Sequence, residues 1–155
     1  MAFDEIDLKI LSLYLQDAKR SFGDIAKLVH VSGGTVHVRV KKLEKLGILK
    51  GSSIRIDYEK LGYDITAFLG IYLDKSSLYS EVSEAMKSIP EIVAAHYTTG
   101  NYSIFAKIVC RDTTHLRQVL HDKLQKIPGI QRTETFISLE ESIDRPLSLI
   151  PPDLE

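Results

Sequence analysis

Two short segments of this chain, Ile89-Pro90-Glu91-Ile92 and Ile127-Pro128-Gly129-Ile130, lie 38 positions apart (89 to 127). Each follows a stretch of helical spacing and opens a stretch of strand character. Proline cannot continue a helix, and it pushes the residue before it towards extended backbone. The pair therefore predicts two copies of one β-α-β unit. The flanking patterns agree. Thr66 to Leu73 reads as a strand. Leu78 to Ile89 reads as a helix, with Leu78, Val82, Ala85, Met86 and Ile89 on one face. Ile92 to Thr99 and Ser103 to Cys110 read as strands joined through Gly100-Asn101. Leu116 to Ile127 is a second helix and Ile130 to Leu139 a last strand. The order β-α-β-β-α-β is the ferredoxin-like arrangement.

The first 60 residues have a different texture. Asp4 can cap a helix carrying Ile6, Ile10, Leu11, Tyr14 and Leu15. Ser21 can cap a short second helix with Phe22, Ile25, Ala26 and Val29. After the brief link Val31-Ser32-Gly33-Gly34, Ser32 can cap a third helix with Val36, Val40 and Leu43 on one side, stopped by Gly47. The runs Ile48 to Lys50 and Ile54 to Asp57, around Gly51-Ser52-Ser53, read as a hairpin. Three helices and a hairpin in this order predict a winged helix-turn-helix, with the third helix placed to enter a major groove. The fold class is therefore α+β: a winged helix-turn-helix over 1–60, a ferredoxin-like domain over 61–145, and an irregular tail over 146–155.

Charge separates the two parts. The chain of 155 residues has a net charge of −1. Residues 1–57 hold 10 Lys/Arg against 7 Asp/Glu, whereas residues 58–155 hold 10 against 14. Within 33–55, six basic residues face one acid, Glu44. Such a local excess is the electrostatic footprint of a polyanion partner, although a solvated charged face has the same composition. A hydrophobic content of 44% suits a packed core. No apolar run approaches the length of a membrane span. The start Met1-Ala2-Phe3-Asp4-Glu5 lacks the basic and apolar regions of a signal peptide. Cys110 is the single cysteine, so there is no internal disulfide and no cysteine-cluster zinc site. These features predict a cytoplasmic protein without a membrane partner. His30, His37, His96, His115 and His121 show no metal-ligand spacing. No phosphate loop or nucleophile elbow occurs. No metal, cofactor or catalytic residue is predicted.

Two strands are apolar on both faces. Ile104, Ala106, Ile108 and Cys110 alternate with Phe105 and Val109, and Ala67, Leu69 and Ile71 alternate with Phe68 and Tyr72. Both helices of a ferredoxin-like layer cover one face only, so the other face needs a cover. A second copy of the chain is the simplest one, and a dimer also suits paired DNA half-sites.

On the third helix, 100° per residue turns Thr35, Val38, Lys42 and Lys45 outward and puts His37 and Arg39 on the flanks. Thr35 and Val38 suit base edges or thymine methyls, Arg39 a guanine or a phosphate, and Lys42 and Lys45 phosphates. Ser32 and Gly34 lie at the helix start, where Gly33-Gly34 allows close backbone approach. In the second domain the Gly100-Asn101 turn offers backbone donors to a carboxylate, or is an ordinary hairpin. The Tyr102 and Ser103 hydroxyls adjoin it, and Thr133 and Thr135 share one face of the last strand.

Nearly the whole chain, about residues 4–140, resembles the Lrp/AsnC family of amino-acid-responsive transcription regulators. The first domain carries Asp7-Leu8-Lys9-Ile10-Leu11, Asp24-Ile25-Ala26-Lys27, Ser32 with Thr35, and Val36 to Glu44 ahead of Gly47-Ile48. Leu61-Gly62-Tyr63 is similar to the family's linker. The second domain carries Tyr97-Thr98-Thr99-Gly100-Asn101-Tyr102-Ser103-Ile104-Phe105 and Thr133-Glu134-Thr135. The pattern is most similar to the asparagine-type branch. Ser103 stands where many members have an acid, and Gly33 where asparagine-type members usually have proline. The resemblance implies a sequence-specific regulator that binds double-stranded DNA and a small amino-acid effector, with asparagine as the candidate. It implies a homodimer that assembles further, commonly to an octamer. It places the effector among Tyr97, Thr99, Gly100, Asn101, Tyr102, Ser103, Thr133 and Thr135, and neighbouring subunits. Some relatives of the family decarboxylate sirohaem, which gives an enzymatic alternative centred on His96. A ligand-binding module acting through protein partners alone is a third reading, which leaves the basic segment unexplained.

Overall fold

The computed structural model describes residues 3–149. They form two compact units: described residues up to Arg55 together with those from Ile143, and Ile56–Ser142. The division falls before position 60 because the chain is already tied to the second unit there. The Tyr58 and Tyr63 rings meet edge to face around the 3-10 turn Glu59–Leu61. The Asp64 N–H donates to the Arg111 carbonyl. The segment from Ile143 counts with the first unit, and Asp144 pairs there with Arg55.

The first unit holds α1 (Glu5–Gln16), α2 (Phe22–Leu28) and α3 (Gly33–Lys45). Each starts at the expected cap. Asp4 accepts from the Asp7 N–H at 3.0 Å and Asp7 returns the contact, a reciprocal box. Ser21 and Ser32 each accept the N–H three residues on at 3.1 Å. Ile10, Ile25, Ala26, Val36 and Val40 form the core between the helices. The turn between α2 and α3 is made by His30, which sits in the left-handed region at φ 56°. The expected hairpin is not formed. Residues 48–57 contain no ladder, Ile54 is 82% exposed, and Gly51 takes φ 129°. Two strands of three or four residues bury too little to hold a ladder by themselves.

The second unit follows the β-α-β-β-α-β order. Strands β1 (Ile65–Leu73), β2 (Ile92–Tyr97), β3 (Ile104–Cys110) and β4 (Ile130–Ile137) form an antiparallel sheet in the order β2-β3-β1-β4. Helix α4 (Tyr79–Met86) and helix α5 (Thr113–Gln118) cover one face. The second helix is not the single α-helix its spacing suggests. Asp112 caps α5, which passes into a π turn (Val119–Lys123) and a 3-10 turn (Leu124–Lys126). The wider turn brings Val119 and Leu124, five residues apart, onto the core side together. Both join Leu69, Ile71, Ile104 and Ile108 in one apolar cluster. The repeated Ile-Pro segments end the two helical stretches. In the second, Gly129 takes φ 94° and a side chain there would press on Leu78 and Val82 of the other half. No helix among the described residues is long and apolar enough to cross a membrane.

Candidate functional site

Helix α3 buries Val36, Val40 and Leu43, which leaves Gly34, Val38, Lys41, Lys42 and Lys45 along its exposed stripe. Val38 is 67% exposed at the middle of that stripe. Lys45 makes no hydrogen bond or ion pair among the described residues, and Lys41 reaches Glu44 at 2.8 Å. The Ser32 and Thr35 hydroxyls lie 2.9 Å apart and belong to the cap. The His37 ring packs edge-on against Phe22, with centroids 5.4 Å apart.

Arg39 is engaged inside the unit. Its Nη1 donates to both Asp4 carboxylate oxygens and to Asp7 Oδ1, each at 2.8 Å. Asp7 is fully buried, the one buried charged side chain among the described residues, and Lys42 Nζ approaches its other oxygen at 3.4 Å. Burial by itself would raise the Asp7 carboxyl. The Arg39 hydrogen bond and the Asp4 N–H outweigh it and hold the group below the usual carboxylate value. The Arg39 hydrogen bond also holds Asp4 down. A bidentate guanine contact is worth about 1–3 kcal/mol. Stripping a buried carboxylate of its partner costs about 3–5 kcal/mol. The balance keeps the guanidinium on the aspartates.

In the second unit the loop 98–103 is closed by its own bonds. The Thr98 hydroxyl donates to the Tyr102 carbonyl at 2.7 Å, and the Thr98 N–H to the Ser103 carbonyl at 3.1 Å. The Ser103 N–H donates to Ile71 at 2.9 Å. Gly100 takes φ 108°, a region that L side chains rarely adopt. Tyr102 lies across Gly70 of β1, where any side chain would run into its ring. Its hydroxyl donates to Glu134 Oε2 at 2.7 Å, and the Tyr72 hydroxyl donates to Oε1 at 3.2 Å. These bonds favour the ionised carboxylate, holding Glu134 down and pushing Tyr102 up. Arg132 stacks over the Tyr72 ring at 3.8 Å. All of this is on the sheet face that the helices leave open. There Phe68 stacks on Phe105, and Tyr102 meets Phe105 and Phe136.

Thr133 and Thr135 stand on the opposite face, paired with Ile71 and Leu69 of the buried layer. Tyr97 shares that face from the other edge strand, its ring 4.3 Å from Tyr79. Three strand spacings, about 14 Å, separate the two edges. One chain therefore does not bring Tyr97, Tyr102 and the two threonines together.

A profile described as the Lrp/AsnC ligand binding domain matches residues 66–147, and a winged helix-turn-helix DNA-binding profile matches residues 3–50. The Regulatory protein AsnC of Haemophilus influenzae is 45% identical over 142 residues, which cover 92% of this chain and 95% of that protein. This chain belongs to the Lrp/AsnC family. The Regulatory protein AsnC of Escherichia coli K12 is 41% identical, over 92% of this chain and 93% of that one. The solved structure of E. coli AsnC matches with a TM-score of 0.90 at 39% identity, covering 94% of this chain and 98% of that chain. A transcriptional regulator of Neisseria meningitidis, solved as a complex with L-Met, shares the fold at 19% identity, with a TM-score of 0.88 and 96% of each chain covered.

This Lrp/AsnC member is thus a transcription regulator with a DNA-binding winged helix-turn-helix and the family's ligand-binding domain. The high-identity relatives are named regulators, not enzymes, so the sirohaem-decarboxylase alternative is dropped. The DNA-binding match over 3–50 removes the reading as a module acting through proteins alone. Cys110 is buried, and burial pushes its thiol up to about 11, so at neutral pH it is a packing residue.

Sequence reasoning missed Lys41, Asp7 and Gly70 as parts of these sites, whereas the alternation that puts Thr133 and Thr135 on one face puts Glu134 on the other, where it stands. Lys41 was visible on the helical wheel, one turn from Val38. Asp7 was visible as the third residue of a capping box, although its burial was not. Nothing local in the sequence marks Gly70, whose role depends on a ring 32 positions away.

Proposed function

We propose that this regulator binds a short polar amino acid, asparagine first, where the loop 98–103 of one copy meets a neighbouring copy. Binding then alters assembly and with it the spacing of the DNA-binding units. The observation that carries this is the separation described above: Tyr97 and the pair Thr133 and Thr135 occupy opposite edges of the sheet, too far apart for one small ligand. A second copy can complete such a site. Thr99, Gly100, Asn101 and Ser103 supply uncharged polar groups and backbone donors at the loop, which suit a carboxylate and a short amide. The open aromatic face around Phe68, Phe105 and Phe136 is the dimer contact in this reading. Dimers associate further, towards an octamer, in the cytoplasm. Ser32, Gly34, Thr35, Val38, Lys42 and Lys45, with Lys41 added, form the DNA side of α3. His37 and Arg39 support it from within.

Calorimetry of the full-length protein against the twenty amino acids tests the sensor. Asparagine is expected to give heat and to change the sedimentation profile. Gly100→Val, strained at φ 108°, should lose both responses and still shift DNA. Silence from every amino acid at millimolar concentration would overturn the reading. A Phe105→Asp variant that stays dimeric would remove the open face from the assembly.

A further inference from the structure

We propose that α3 reads sequence through apolar contact between Val38 and a thymine methyl group, with Arg39 a positioning residue rather than a base reader. The side chain best shaped to recognise guanine is tied down and only 23% exposed. Its Nη1 is committed to three carboxylate oxygens at 2.8 Å, one of them on fully buried Asp7. The Ser32 and Thr35 hydroxyls are spent on each other and on the cap. His37 is turned against Phe22. The exposed stripe then presents lysines, which suit phosphates, and one apolar group. That group is Val38, the only exposed large hydrophobic within α3.

The start of the helix reinforces the point. Gly33 and Gly34 are both helical, neither has a positive φ, and a Cβ on either would meet no close neighbour. The protein's own packing does not require glycine at these two places, although glycine weakens a helix. Their effect is to keep the first turn low beside Thr35, whose hydroxyl is held in the cap, so that Val38, one turn beyond Gly34, can approach a groove floor. In the major groove the C5 methyl of thymine is the apolar feature that base edges offer. Arg39 works through α1: by tying α3 to Asp4 and Asp7, it fixes the angle at which Val38 is presented.

The test uses the full-length protein and a duplex that it selects from a random pool. Each thymine is replaced in turn by deoxyuridine, which lacks only the methyl group. Wild type should lose about fourfold in affinity at one thymine per half-site, the worth of one buried methyl-sized group. Val38→Ser, a change at an exposed position, should bind more weakly and be indifferent to that replacement. Arg39→Ala should lower affinity for all duplexes by one common factor and lower the melting temperature. A scan with 7-deazaguanine supplies the opposite arm. A position that weakens wild type but not Arg39→Ala would make Arg39 a base reader and overturn the proposal. So would the absence of any deoxyuridine effect in wild type, or its persistence in Val38→Ser. Lys45→Ala separates failure of the contact from failure of the helix placement: unchanged affinity there takes α3 out of the DNA interface and the proposal with it.

Discussion

The two units are held together by different physics. The second buries a cluster of fourteen residues between a four-stranded sheet and its helices, all apolar or cysteine. Among the described residues the first has a cluster of five between three short helices, and beside it a fully buried carboxylate bridged to α3 by Arg39. A small unit has little apolar surface to bury. This one fastens α3 to α1 with charge. The second unit, whose paired carboxylates Glu91 and Glu134 lie outside its apolar cluster, should therefore respond most to lost volume, and the first more to charge and to pH.

The largest effect tests the apolar side. Leu69 is fully buried in the central strand β1. Leu69→Ala should cost the second unit about 3 kcal/mol. Hydrogen exchange resolved to each unit is the measurement, and protection of α1 to α3 should be unchanged. Equal losses in both units would show that they do not unfold separately.

The next tests the charged side. Asp7→Asn keeps the shape but weakens a hydrogen bond between charges, and should cost the first unit about 2 kcal/mol. The pH dependence has a definite sign. The Asp7 and Asp4 carboxyls are held below their ordinary values. They therefore contribute stability that is fully present above the ordinary carboxylate range, near pH 4, and lost as pH falls through their native values. Acid titration of α1 to α3, followed by amide exchange, should be flatter in Asp7→Asn than in wild type. Identical acid limbs would mean that the bridge contributes nothing.

What could be read in the sequence follows the same division. Signals that act within a few residues were legible. Asp4, Ser21 and Ser32 cap the helices where their positions predict, because a cap bonds to an N–H three residues away. The repeated Ile-Pro segments fix strand starts by the same local logic. Pairings across the fold were not legible. Arg39 reads as a surface cation until Asp4 and Asp7, more than 30 positions away, are seen around it. Tyr102 reads as an effector contact beside Thr133 and Thr135, yet Gly70 lets it lie on the other face, against Glu134. The hairpin expected over 48–57 had the right residue types, but strand-forming composition does not supply a partner.

The smallest effect concerns the turn that sets α3 against α2. His30 holds φ 56° there, a conformation that glycine adopts without penalty. His30→Gly should raise the stability of the first unit by about 0.5 kcal/mol. The melting temperature of the full chain is the readout. A fall instead would show that the imidazole makes a contribution larger than the backbone strain it carries.

The π turn at Val119–Lys123 has a consequence for how this lineage can change length. It holds one residue more than an α-helical turn would, and the core accepts this because Val119 and Leu124 still point inward five positions apart. Losing one codon among the exposed positions His121 to Lys123 would restore ordinary helical spacing, four apart, with both side chains still inside. The loop after it begins at a 3-10 turn and the Ile127-Pro128 break, which absorb the shift. Deletions elsewhere in the sheet strands would swap buried and exposed faces. This turn is thus where the ligand-binding domain can shed a single residue and remain the same domain.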